Sequence, residues 1–217
     1  LEPQGEWVIK LDADSEEHGQ REPPSTSRAH CYKVHAYGGV TLFGFTSLIT
    51  DVSGTRSRVV GGAAGKKGVD AKEYQENILP VLLKELAAIF KRKGLEHSWV
   101  FQQDGAPAHT TANTPLGKRA REIIDALAPS CIWDWPSLSP DLSLIENVWA
   151  EVVRRMQCAR RTYANHDQFE SHIKEVWAQI SDDKTYLHSL YFGGKGKAGF
   201  LDRLQECIDR KGGKTPH

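Results

Sequence analysis

Residues 135–149 read WPSLSPDLSLIENVW, from Trp135 to Trp149. The first half is turn chemistry: Pro136 and Pro140 alternate with Ser137 and Ser139. The second half changes period. Ile145, Val148, Trp149, Val152 and Val153 fall on one stripe, which predicts a helix from Ser143 to about Gln157. Glu146 then stands in the first turn of that helix, where the backbone dipole favours a carboxylate. Asp141 follows Ser-Pro, so it can start a turn or cap the helix.

A second segment, QQDGAPAH at Gln102–His109, follows the apolar-rich run Trp99–Gln103, which predicts a short buried strand ending at Asp104. Two carboxylates brought from elements far apart in sequence suit a divalent-metal site for phosphodiester chemistry. Each residue also has a plainer reading. Asp104 ahead of Gly105 fits a turn, Glu146 fits dipole complementation, and His109 fits a packed or surface histidine. On the residues alone these alternatives stay open.

Outward from these segments, Glu6–Leu11 alternates as a strand does. Asp12–His30 is polar, with Pro23-Pro24, and reads as a loop. Cys31–Thr46 predicts a strand, a bend at Gly38-Gly39 and a second strand. Leu48–Val60 adds another, and Gly61–Gly68 is a loop. Asp70 and Glu73 loosely fit a capping box before the helical spacing of Tyr74, Ile78, Leu82, Leu86 and Ile89. Pro80 is expected to kink or split that helix. Thr111–Leu127 reads as a helix and Ile132–Trp135 as a strand. Two more apolar stripes follow, Phe169/Ile173/Val176/Trp177/Ile180 and Leu201/Leu204/Ile208, the latter on a helix over Gly199–Lys211. Strands first, then strands alternating with helices, imply an α/β domain with a mixed sheet.

The 217 residues are enough for one sizeable core. Lys+Arg and Asp+Glu both number 28, so net charge gives no support to a nucleic-acid partner. Any basic surface is local: Arg56–Arg58 with Lys66–Lys67, Lys91–Lys93, Arg154–Arg161 or Lys195–Lys197, each equally readable as a solvated face. The four cysteines have no zinc-ligand spacing and suggest no disulfide framework. No apolar run is long enough to span a bilayer, so no membrane partner is expected.

QQDGAPAHT is similar to the QDNAPxH segment of Tc1/mariner superfamily transposases, and WPSLSPDLSLIENVW resembles their WPxxSPDLNPIENLW segment. Partial matches follow the family's order: KVHAYGGVTLFG, the Tyr-Gln and Leu-Pro of EYQENILP, and the C-terminal KGGKTPH. Together they cover about residues 33–217. The resemblance implies a DDE-type catalytic domain of the ribonuclease-H-like fold, a five-stranded mixed sheet with helices on both faces. It implies metal-dependent DNA cleavage and strand transfer, with Mg²⁺ or Mn²⁺ as cofactor. DNA, as transposon ends and target, is the implied partner, and a homodimer is possible. Asp104 matches the second catalytic acid and Glu146 the third, both as metal ligands. Asp141 matches the turn Asp, Asn147 the Asn beside the catalytic Glu, and His109 the His of the first motif.

Three departures stand out. Gly105 replaces a usual Asn and Leu144 a usual Pro. The 41 residues between Asp104 and Glu146 exceed the family's usual spacing. No segment matches the first catalytic Asp, although Asp12 and Asp14 are substitutes in principle. Residues 1–217 are therefore expected to form a single catalytic domain lacking its first strand and the preceding helix-turn-helix region. The expectation is of an enzyme impaired in this chain. A non-catalytic nucleic-acid-binding module and a dimerisation domain built on Tyr186–Ala198 are the alternatives. A eukaryotic host would imply a nuclear address, any other a cytoplasmic one.

Overall fold

The chain is described here by a computed structural model, which covers residues 8–10, 32–50, 71–103, 109, 113–133, 142–194 and 196–212. Five short strands come first: β1 (Val8–Lys10), β2 (Lys33–Tyr37), β3 (Val40–Thr41), β4 (Gly44–Phe45) and β5 (Ile49–Thr50). β2 is the centre of a three-stranded antiparallel sheet. It pairs Ile9 with Val34 on one edge and Tyr37 with Ile49 on the other. β3 and β4 form a separate hairpin with Val40 opposite Phe45.

β2 shows why helices cover both faces. Side chains alternate across a strand. Val34 and Ala36 bury with Val148, Val152, Phe169 and Ile173 in one core cluster. Tyr37 buries with Ile78, Leu83 and Ile124 in the other. The first cluster belongs to α4 (Leu144–Cys158) and α5 (His166–Asp182), joined by α6 (Lys184–Phe192). The second belongs to the helical rod at 71–91 and α3 (Pro115–Leu127).

That rod runs as α1 (Ala71–Glu73), a π-helical segment (Tyr74–Ile78) and α2 (Leu79–Lys91). Pro80 does not split it. The Leu79 N–H reaches the Tyr74 carbonyl across the widened turn, and Pro80 stands at the start of α2, where a missing N–H costs least. Helix α3 starts later than the sequence implied, at Pro115. Thr114 caps it by accepting from the Gly117 N–H at 3.1 Å.

A continuous five-stranded sheet is not formed by the described residues. The expected strands 99–103 and 132–135 meet in one parallel bridge, Phe101 to Cys131. Two hydrogen bonds make it, Phe101 N–H to the Ser130 carbonyl and Ile132 N–H to the Phe101 carbonyl. Trp99 and Phe101 are buried while Val100 is exposed, so the alternation is strand-like. The Gln103 side chain is committed elsewhere, as described below.

The last helix, α7 (Phe200–Asp209), overturns its expected packing. Leu201 and Ile208 are 46% and 68% exposed, and the buried residue is Arg203, at 8%. Of the stripe at helical spacing only Leu204 turns inward, half-buried, while Leu201 and Ile208 face solvent and Arg203 takes the buried position beside Asn147. Tyr186 and Tyr191 pack against the first core cluster. Asp70, expected as a helix cap, and the loops expected at 12–30 and 61–68 lie outside the described residues.

Candidate active site

The site is built on the first turn of α4. Ser143, its N-cap residue, is buried and extended (φ −97°, ψ 107°), and its side chain makes no capping bond. The turn is tied instead through Asn147. Its amide nitrogen donates to the Ser143 carbonyl at 2.9 Å. Its side-chain oxygen accepts from Arg203 Nη1 at 3.1 Å, and its backbone carbonyl accepts from the Tyr186 hydroxyl at 3.1 Å. Glu146, the residue before it, is half-buried in the acid-favouring first turn.

Glu146 lines a cleft of about 540 Å³, and so do Gln102, Gln103 and His109. Gln103 organises the far wall. Its side-chain oxygen accepts from the Tyr74 hydroxyl at 3.0 Å, and its amide nitrogen donates to the His109 carbonyl at 3.1 Å. The Tyr74 and His109 rings stand 4.2 Å apart, centroid to centroid. Both flanks of segment 104–108 are thus pinned to each other and to the π-helical turn. Gln75, buried in that turn, donates to the Leu116 carbonyl at 2.9 Å and ties it to α3.

Of the sequence-derived candidates, Glu146 and His109 come to one cleft, and Asn147 supports the turn from behind. Asp104 and Asp141 lie outside the described residues. Sequence reasoning passed over Gln103, Tyr74, Tyr186 and Arg203. Tyr74 belongs to the matched Tyr-Gln pair, and Gln103 adjoins Asp104. Nothing local marks Arg203 as a buried residue.

A carboxylate donor fits a hard divalent cation. Glu146 lines a cleft that is also lined by Gln103, the sequence neighbour of Asp104. A second cluster, His166, Asp167 and Glu170, has ligand atoms within 4.8 Å of one another. It already holds a cation of its own. Lys174 Nζ sits 2.6 Å from Glu170, and the Thr50 hydroxyl donates to the same oxygen at 2.6 Å. Despite the desolvation that opposes it, the Glu170 carboxyl lies below its ordinary range because of these two partners.

The basic run Arg154–Arg161 is largely spent inside the molecule. Arg154 and Arg155 both bind Glu151, Arg155 also reaches Asp183 at 2.7 Å, and Arg161 binds Glu175 at 2.7 Å. The Arg154 hydrogen bond leads the causes that hold the Glu151 carboxyl below its usual range. Among the described residues, no helix is long and apolar enough to cross a membrane.

No family model matches the chain. Curated relatives do. The Tcb1 transposase of Caenorhabditis briggsae is 32% identical over 147 residues, 67% of this chain and 45% of that protein. The Tc3 transposase of Caenorhabditis elegans is 30% identical over 144 residues, 66% of this chain and 38% of that protein. The chain thus spans less than half the length of these relatives. Among solved structures, the Mos1 transposase catalytic domain with raltegravir and Mn is similar with a TM-score of 0.51 and 16% identity, over 86% of this chain and 78% of that one. The Mos1 mariner paired end complex with Mn is similar with a TM-score of 0.53 and 16% identity, over 95% of this chain and 52% of that one. The two Mos1 structures show a shared helix-rich α/β fold, and the nematode transposases match this sequence at 32% and 30% identity: the chain belongs to the Tc1/mariner transposase family.

Proposed function

We propose that the chain carries the DDE-type chemistry of a cut-and-paste transposase, metal-dependent cleavage and strand transfer at transposon ends, with Asp104 and Glu146 as the two acids it supplies. The observation that carries this reading is that Gln103 and Glu146, from segments far apart in sequence, line one cleft. Bound Mg²⁺ or Mn²⁺ would supply activation of the attacking oxygen and stabilisation of the leaving one. Glu146 and Asp104 would hold it. The chain's own share is positional. The first turn of α4 presents Glu146, and the Gln103–His109 pairing ties together the residues on either side of segment 104–108.

Residues 1–217 act in this reading as one ribonuclease-H-like domain, its strands completing a five-stranded mixed sheet. The partners are transposon ends and target DNA, held through phosphate contacts that weaken with salt, and the working form is a homodimer. A eukaryotic host would place it in the nucleus. Two of the family's three acids are matched within these 217 residues, so this chain by itself is proposed to be impaired in strand transfer.

The test is Mn²⁺ binding to the 217-residue chain, followed by the electron spin resonance signal of free Mn²⁺. Asp104→Asn and Glu146→Gln should each weaken the tightest site at least tenfold while the far-UV spectrum stays unchanged. Equal binding by both variants and the parent chain would refute the assignment.

A further inference from the structure

We propose that Arg203 on α7 is a positioning residue for Glu146, acting through Asn147, so that the C-terminal helix sets the aim of the metal-facing carboxylate. This rests on the reading of Glu146 as a ligand and extends it to an element the two long motifs do not contain.

The packing of α7 is the first argument. Burying a guanidinium is costly unless it is paired and hydrogen-bonded. Yet α7 leaves Leu201 and Ile208 in solvent and turns Arg203 inward. Phe200 and Leu204 of the same helix line the cleft that Glu146 lines, and between them the helix buries one cation, whose Nη1 lies 3.1 Å from Asn147 Oδ1.

The second argument is where the contact lands. Asn147 is adjacent to Glu146 and spans the first turn of α4 to the Ser143 carbonyl. With Arg203 on its side chain and Tyr186 on its carbonyl, Asn147 is gripped by both C-terminal helices. Groups behind a ligand fix its direction, and their loss typically weakens metal binding 10–100-fold.

The third is that the approach of α7 is itself fixed. The linker from α6 folds back on Gly193 and Gly199. Gly193 has φ +76°, and a Cβ there would stand 2.5 Å from the Lys197 carbonyl oxygen. A Cβ on Gly199 would stand 2.2 Å from the Gly193 nitrogen. The carboxylate of Asp202, the residue before Arg203, accepts from the Gly199 N–H at 2.8 Å and fixes the first turn of α7. The close approach of Gly193 and Gly199 thus sets how α7 follows α6 and brings Arg203 to α4.

The experiment measures Mn²⁺ affinity and thermal stability together on the whole chain, with Glu146→Gln as the reference that removes the site. Arg203→Met should weaken the Glu146-dependent site about tenfold. Arg203→Lys, which keeps a charged donor, should recover most of that loss. Asn147→Ala should mimic Arg203→Met, and the two together should weaken binding no further than either alone, because they share one route. A merely structural arginine would lower the melting temperature and leave Mn²⁺ affinity where it was. A folded Arg203→Met with parental affinity overturns the proposal. Should Arg203→Met not fold, parental affinity in Asn147→Ala overturns it instead. Loss in Glu146→Gln without loss in the Arg203 and Asn147 variants sinks this inference alone. No loss in Glu146→Gln sinks the site assignment with it.

Discussion

Gly38 lies beneath the Trp177 ring, and a Cβ built there would meet Trp177 Cη2 at 2.5 Å. The ring has little room to retreat. Trp177 is 4% exposed, its indole N–H donates to the Thr46 carbonyl at 2.9 Å, and it packs against Trp149 and Phe45. Gly38→Ala should therefore destabilise the fold by about 1–3 kcal/mol, as overpacking of a filled core does, read as a lower urea midpoint at unchanged slope. His172 offers a second residue-scale prediction. It is 3% exposed, and burial, with the Arg161 cation adding to it, lowers its pKa. Burial keeps the ring neutral, and it meets the Tyr163 hydroxyl at 2.6 Å. The unfolded chain then binds the proton more tightly than the folded one, so stability rises with pH in this window. The contribution of neutral His172 is complete above about pH 6.5 and is lost as pH falls from there through the folded value. Denaturation at pH 7.5 and pH 5 should show that loss, and His172→Gln should show a smaller one.

At the scale of elements, Asp183 joins three helices by one carboxylate. One oxygen caps α6 by accepting from the Tyr186 N–H at 2.9 Å, and the other receives Arg155 of α4 at 2.7 Å, directly after the end of α5. The Tyr186 N–H leads the causes that hold its carboxyl below the ordinary range. Asp183→Ala should cost about 1 kcal/mol, the usual loss for an N-cap, with little added by an ion pair this open to solvent. The sign of the pH effect is opposite in origin to that of His172 but equal in direction. Asp183 stabilises above its unfolded value near pH 4 and ceases to do so as pH falls through the folded one, so the difference between parent and variant should close in acid. Elements of this kind were unevenly legible. The stripes of α4 and α5 announced both helices, since Val148, Trp149, Val152, Phe169, Ile173, Val176, Trp177 and Ile180 are all buried as the spacing requires. α7 was legible as a helix and misread in part as a face, because periodicity cannot foresee that Arg203 turns inward to donate to Asn147 while Leu201 and Ile208 stay exposed. Among the described residues, the strands expected around Phe101 and Cys131 meet in a single bridge, since short apolar runs carry no information about pairing. At the candidate site, the motif singled out Glu146, which lines the cleft, whereas Arg203 and Tyr186 reach Asn147 from distant sequence and leave no local signature.

Across the whole molecule, β2 separates two helical layers, with Val34 and Ala36 on one side and Tyr37 on the other. This arrangement makes a specific prediction about cooperativity. Ile78 and Ile173 are each fully buried, in different clusters. Ile78→Val and Ile173→Val should each cost about 0.5–1.5 kcal/mol by removing one methylene from a filled site. Residues with no shared packing partners should add to within about 0.5 kcal/mol, so the double variant should equal the sum of the singles. The unfolding curve should nevertheless stay a single transition, because both clusters are anchored on the same strand and neither layer can leave without exposing a face of it. Tryptophan fluorescence reports both sides at once, since Trp99 belongs to the second cluster and Trp149 and Trp177 to the first. Coincident fluorescence and far-UV transitions in parent and variants would match one cooperative unit. A biphasic curve, with the Ile78 variant shifting only one phase and the Ile173 variant only the other, would mean that β2 does not couple the layers. The cleft at Glu146 would then rest on two independently stable halves, not on one core.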